Sequence, residues 1–208
     1  MADIQKFTTP VFRGSFVNVF SPQSVDGGEP KYGLSAIWEP EKFGPKDKER
    51  WKAIKGALND EAKRAFKKGI KDLPANYKKG LRNGNEKPDV DGYGDGKMFA
   101  SLTSKMRPGI VDLTGSAISP EDGNADELYY GAYYQATVTV YSYNNKNKGE
   151  SLGLYNLRKV KDGPRLDLRT NAAEDFADDS ELDDGWLDED EGDLDDGPDG
   201  DGDDDGWD

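Results

Sequence analysis

Apolar and polar positions alternate twice in the first forty residues, and each alternation predicts a strand. "PVFRGSFVNVFSP" (10–22) is bounded by prolines and carries the β-formers Val11, Phe12, Phe16, Val17 and Val19. "KYGLSAIW" (31–38) places Tyr32, Leu34, Ala36 and Trp38 on one face, the period of a half-buried strand. Between them "DGGEP" is a turn, so the two strands are expected to pair antiparallel. The period then changes. From Pro45, a favourable first helical residue, Trp51, Ile54, Leu58, Ala62, Ala65 or Phe66, and Ile70 recur at helical spacing. Gly56 and Gly69 leave open one kinked helix or two shorter ones.

After a loop, "NGNEKPDVDGYGDGK", the stretch "MFASLTSKMRPGIVDL" predicts a strand, a Pro-Gly break and a short apolar continuation. "ELYYGAYYQATVTVYSYN" is the strongest strand signal in the chain. Tyr134, Ala136, Val138 and Val140 face one way; Tyr133, Gln135, Thr137, Thr139, Tyr141 and Tyr143 face the other. "NNKNKGE" is a hairpin loop and "SLGLYNLRKVK" the returning strand. About five strands, one helical insertion and Gly-rich turns predict a mainly β fold, a five-stranded antiparallel barrel or sandwich with a helix packed on it.

Past Thr170 the aliphatic residues thin out. Glu174 to Asp208 hold twenty Asp or Glu and no Lys or Arg. Such a segment buries too little apolar area to offset its conformational entropy, so a disordered acidic tail (173–208) is expected after a folded domain (1–172). "DDGW" occurs twice in it, ending at Trp186 and Trp207, and the chain closes on Asp204, Asp205, Trp207 and Asp208. These residues are the candidates for docking a partner.

The charge changes the picture of the body. The formal net charge is -14, yet the first 173 residues hold 28 basic and 22 acidic side chains, a net of +6. The insertion, about 42–82, holds fourteen basic and five acidic residues. A basic body with an acidic tail points to a nucleic-acid partner. Solubility alone would also account for the basic helix face, and the two readings weigh about equally there.

Candidate chemistry follows from rings beside cations. Tyr133, Tyr141 and Tyr143 share a strand face, Lys146 and Lys148 lie in the adjacent hairpin, and the strand bearing Phe99 runs into Lys105 and Arg107. Arg13, Lys31 and Arg158 complete the candidate set. Every base has a π-face to stack, at about 1–3 kcal/mol each, and every nucleotide has a phosphate to pair. The pattern therefore suits sequence-tolerant single-strand binding, with duplex bound weakly if at all.

Catalytic readings fare worse. There is no Cys and no His, which removes disulfides, thiolate zinc sites and the commonest general base. "PDVDGYGDGK" superficially pairs the two elements of a restriction-type nuclease, but both fall in one Gly-rich loop. As a calcium loop it fails, with Tyr93 at the third ligand position and Ala100 at the twelfth. No P-loop or nucleophile elbow is present. The reading is of a protein with no enzymatic activity, no cofactor and no metal site. An acidic-tail DNA mimic or protein-directed inhibitor is the alternative, opposed by the basic insertion. "MADIQKFTTP" lacks the apolar core of a signal peptide and no run approaches a membrane span, so the expectation is a cytoplasmic protein without a membrane partner. Monomer and dimer both remain open.

Four stretches, "FVNVFSP", "GGEPKYGLSAIW", "DGYGDGKMFASLTSKMRPGIVD" and "GAYYQATVTVYSYNNKNKGESLGLYNLRKVKDG", resemble a phage family of single-stranded-DNA-binding proteins. They recur in order over most of residues 10–163. The arrangement is also similar to that of the T7-like phage single-stranded-DNA-binding proteins. The resemblance implies an OB fold in the host-cell cytoplasm and little sequence preference. It also implies a role in replication or recombination, with a tail that contacts a polymerase, helicase or primase.

Overall fold

The computed structural model describes residues 4–24, 27–74, 76–144 and 147–166. In chain order its strands are β1 (Phe7–Thr8), β2 (Phe12–Gln23), β3 (Lys31–Trp38), β4 (Arg82–Asn83), β5 (Met98–Ser104), β6 (Gly109–Val111), β7 (Tyr133–Asn144) and β8 (Lys148–Lys161), with one α-helix, α1 (Pro45–Phe66). Five of the strands close on themselves, in the order β7, β2, β3, β5, β8 and back to β7. Four of those junctions are antiparallel, as the pattern predicts. The β5–β8 junction is parallel, which no local pattern encodes, because it joins strands far apart in sequence.

The interior of the ring is set by alternation. Leu34, Ala36 and Trp38 of β3, Ala100 and Leu102 of β5, and Tyr134, Ala136 and Val138 of β7 all belong to one buried cluster. Helix α1 closes it with Trp51, Ile54, Leu58 and Ala62, the periodic face seen in the sequence. Trp38 sits at the junction, its ring centroid 5.6 Å from Phe12 and 5.2 Å from Trp51. α1 is one helix: Gly56 lies within it and does not break it, whereas Lys67 takes a left-handed conformation (φ 60°) and ends it before Ile70. Among the described residues no helix is long and apolar enough to cross a membrane.

After β8 the chain crosses the outside of the ring as a strap, 162–166. Arg13 Nη2 donates to the Pro164 carbonyl at 2.6 Å, Gly163 N–H donates to the Tyr129 hydroxyl at 3.1 Å, and Leu166 N–H donates to the Tyr130 carbonyl at 2.9 Å. Gly131, at φ 111°, gives the strap room; a Cβ there would lie 2.0 Å from the Pro164 carbonyl oxygen. The expected tail, with Trp186, Asp204, Asp205, Trp207 and Asp208, lies outside the described residues.

Candidate nucleic-acid interface

The residues of β3 and β5 that point away from the core are small near one end and apolar near the other. Gly33 pairs with Thr103, Ser35 with Ser101, and Ile37 with Phe99. The small pairs floor an open groove of about 820 Å³. One wall and rim come from Gly28, Glu29 and Lys31 at the β2–β3 turn, the other from Tyr141, Tyr143, Asn147 and Ser151 of the β7–β8 hairpin. Lys105, just past the end of β5, joins the same lining.

The groove's charge is mostly positive at its rim. Lys105 pairs with Glu29 at 2.7 Å, and this lysine holds the Glu29 carboxyl below its usual range. Both side chains are exposed, so the pair opens at little cost. The charge of Lys31 also lowers the pKa of the Glu29 carboxyl, after Lys105.

Phe16 supplies a third ring. It sits where the β2–β3 register slips between Ser15 and Asn18, with φ 50°, a conformation that bulky residues rarely adopt. The bulge turns its side chain outward to 42% exposure, edge-on to Tyr130 at 5.7 Å. Lys87 Nζ stands 5.0 Å from the rings of Phe16 and Tyr93 and 5.3 Å from Phe99. Burial, and then the charge of Arg82, lowers the pKa of this lysine. The adjacent apolar pair "FV" (16–17), which breaks the strict alternation of β2, is the sequence signal for Phe16; nothing in the sequence marks Lys87.

The hairpin wall is braced from behind by the helical insertion. Glu61 of α1 accepts from both the backbone N–H (3.0 Å) and the hydroxyl (2.7 Å) of Ser142. Two N–H groups of Arg64 hold the same carboxylate, whose pKa falls to about 2. Lys78 pairs with the hairpin beside its turn, donating to the Lys148 carbonyl and accepting from Glu150 N–H, each at 3.0 Å. The buried Glu150 carboxylate accepts from the Tyr77 hydroxyl at 3.2 Å and from Gly80 N–H at 3.4 Å.

The sequence-predicted candidates divide. Lys31, Lys105, Tyr141 and Tyr143 meet at the groove. Lys148 is exposed at the start of β8, opposite Asn144, while Lys146 lies outside the described residues. Arg107, past the groove, pairs with Glu121 at 2.8 Å and covers Phe20. Phe99 is a correction: it faces outward as its alternation requires, but Tyr93, Val90 and Leu166 pack over it and leave it 1% exposed, with no free ring face. Tyr133 is separated from Tyr141 by eight residues of β7, about 26 Å at some 3.3 Å each, and lines a different cleft with Arg13. Arg158 is tied to the Gln135 side-chain oxygen on the β7–β8 ladder, away from the groove. Among the described residues no group of three or more Asp, Glu, His or Cys could hold a metal ion.

A family model described as the Enterobacter phage Enc34 ssDNA-binding protein matches residues 5–187. Putative protein p50 of Acyrthosiphon pisum secondary endosymbiont phage 1 is 37% identical over 83 residues, 40% of this chain and 42% of that one, so the match spans less than half of that relative. Among solved structures, the single-stranded DNA-binding protein from bacteriophage Enc34 in complex with ssDNA is similar at a TM-score of 0.65 and 21% identity, over 78% of this chain and 89% of that one. Bacteriophage T7 gp2.5, a single-stranded DNA binding protein, is similar at a TM-score of 0.54 and 15% identity, over 87% and 97%. At these identities the structural likeness speaks to the fold: mainly β, a ring of strands with one helix, OB-like.

Proposed function

The chain belongs to the family of the Enterobacter phage Enc34 single-stranded-DNA-binding protein, and from that premise we propose that its groove binds single-stranded DNA with little sequence preference. The observation that carries this reading is the placement of Tyr141, Tyr143 and Phe16 beside Lys31 and Lys105 around a floor of Gly33, Ser35, Ser101 and Thr103. The floor carries no bulky side chain, so a strand can lie close to the sheet. The rings offer stacking surfaces that suit any base, and the lysines meet phosphates that every nucleotide has. The groove also occupies the face that OB folds use for oligonucleotides, between the loops joining strands one to two and four to five of the ring.

The protein acts by binding alone, in phage DNA replication or recombination in the host cytoplasm. Its acidic tail competes with DNA for the basic groove, and Trp186, Trp207 and the terminal Asp204, Asp205 and Asp208 dock a polymerase, helicase or primase. The test is a titration of labelled oligo-dT and matched duplex at two salt concentrations, followed by electrophoresis of the recovered DNA. Strand-selective, salt-sensitive binding with intact DNA is the expected result. Equal affinity for duplex, or cleavage, overturns the reading.

A further inference from the structure

The outer face of the ring does not end at the groove. Past the roof of Tyr93, Val90 and Leu166 it opens again into a cleft of about 340 Å³. The register explains why the cleft is basic. Outward residues of four neighbouring strands fall in one transverse row: Ile37 pairs with Arg13, Arg13 with Tyr133, and Tyr133 with Lys161. Lys42 and Lys97 add two cations to the same lining, and Glu39 and Asp47 two carboxylates.

Those carboxylates are already paired, Glu39 with Lys42 at 2.5 Å and Asp47 with Arg50 at 2.9 Å. The other three cations are not. Arg13 gives two of its five N–H groups, one on Nε and one on Nη2, to the carbonyls of Gly131 and Pro164, and Lys97 Nζ donates to the Tyr93 carbonyl at 3.3 Å. Lys161 Nζ stands 4.6 Å over the ring of Tyr133. Carbonyls and a ring orient these cations without cancelling their charge, and among the described residues none of the three has a carboxylate partner. A half-buried tyrosine that meets the strap at Gly163 and carries an exposed lysine over its ring, beside uncompensated positive charge, repeats the groove's own chemistry.

We propose that this cleft is a second subsite for the same single-stranded DNA. A base takes the place of Lys161 over Tyr133, and the displaced ammonium, with Arg13 and Lys97, meets the phosphates. The inference rests on the groove reading and fixes the path of the strand, from the Lys31 end of β3 towards its Trp38 end. Ser35, at the groove, and Glu39, at the cleft, are four residues apart, or about 13 Å at some 3.3 Å per residue. That equals about four stacked nucleotides at some 3.4 Å per phosphate. A tetranucleotide thus fills the groove alone, while a dodecanucleotide reaches both sites, within the roughly 4–16 nucleotides an OB fold occludes.

The test measures (dT)4, by displacement at millimolar concentration, and labelled (dT)12, by anisotropy, on the full chain and on Lys161→Glu and Tyr133→Ala. Both variants are expected to lose about tenfold in affinity for (dT)12, roughly one stacked base at about 1–3 kcal/mol, and to hold (dT)4 within about twofold. The salt slope for (dT)12 should also flatten, by about 0.7 for each phosphate that no longer meets a cation. Lys161 is exposed, so Lys161→Glu reports on the cleft even where Tyr133→Ala lowers the melting temperature. Variants that bind (dT)12 like the parent, or that lose both oligonucleotides equally, overturn the second subsite while leaving the groove reading in place. A parent protein that binds neither oligonucleotide removes the groove reading and the subsite together.

Discussion

Phe16 and Glu150 do their work through backbone and burial, which hydropathy does not register. Phe16 counts as one more β-former in a strand; only the bulge, with its left-handed φ of 50°, turns the ring into the groove, at a cost of order 1–3 kcal/mol for a bulky residue. Lys31, Lys105, Tyr141 and Tyr143 were legible as candidates because alternation and charge place them on exposed faces. Phe99 misled for the same reason: alternation says which way a side chain points, not that a loop will cover it. Glu150 is 3% exposed, and burial pushes its pKa up to about 7 from an ordinary 4.5. The Tyr77 hydroxyl, Gly80 N–H and Lys79 pull against that rise, and Glu61 adds to it. A carboxyl whose folded pKa is raised stabilises the fold below about pH 4.5, and that contribution is lost as pH climbs through about 7. At about 1.4 kcal/mol per unit the loss is at most of order 3–4 kcal/mol. Glu150→Gln removes the ionisation. Melting curves at pH 5 and pH 8 should show the variant gaining on the parent as pH rises; parallel pH dependences would remove this account of Glu150.

At the scale of elements, strong periodicity decided what could be read. β3 spans Lys31–Trp38, the alternating octet itself, and α1 begins at Pro45, the proline that suits a first helical position. The helix stops at Phe66, four residues before the last periodic apolar position, because Lys67 leaves the helical conformation. β1 and β4 are two residues each, too short to show a period, and exist only through the partners they pair with. The role of the insertion was also hidden. Its lysines invite a phosphate-binding reading, whereas its bonds to the hairpin run through Glu61, Lys78 and Tyr77. Glu61→Ala strips Ser142 of two hydrogen bonds. The cost should be about 1–3 kcal/mol of stability and a looser groove wall, seen as faster amide exchange at Ser142 and weaker oligo-dT binding. An unchanged exchange rate at Ser142 would show that the hairpin stands without the helix.

Across the whole molecule, charge separation along the chain was fully legible, since twenty carboxylates follow a body of net +6. What the composition could not place is the strap, 162–166. The strap seats Leu166 against Ile37 and Gly92, on the roof between groove and second cleft. In the proposed competition, thirty-five residues behaving as a coil would span about 30–35 Å, against a body radius of gyration near 16 Å, enough for the tail to reach the groove. Truncation after Asn171 should therefore tighten oligo-dT binding about fivefold or more at low salt, with the gap closing at high salt as screening removes the competition. Equal affinities at low salt would leave the tail with partner docking alone.

The measurement that bears most directly on the groove is anisotropy of labelled (dT)12 against the parent protein and Tyr141→Ala/Tyr143→Ala, with the melting temperature of each recorded. Two stacked bases at about 1–3 kcal/mol each predict a loss of well over tenfold in affinity with the fold intact. A double variant that is folded and binds like the parent would contradict the groove as the DNA site.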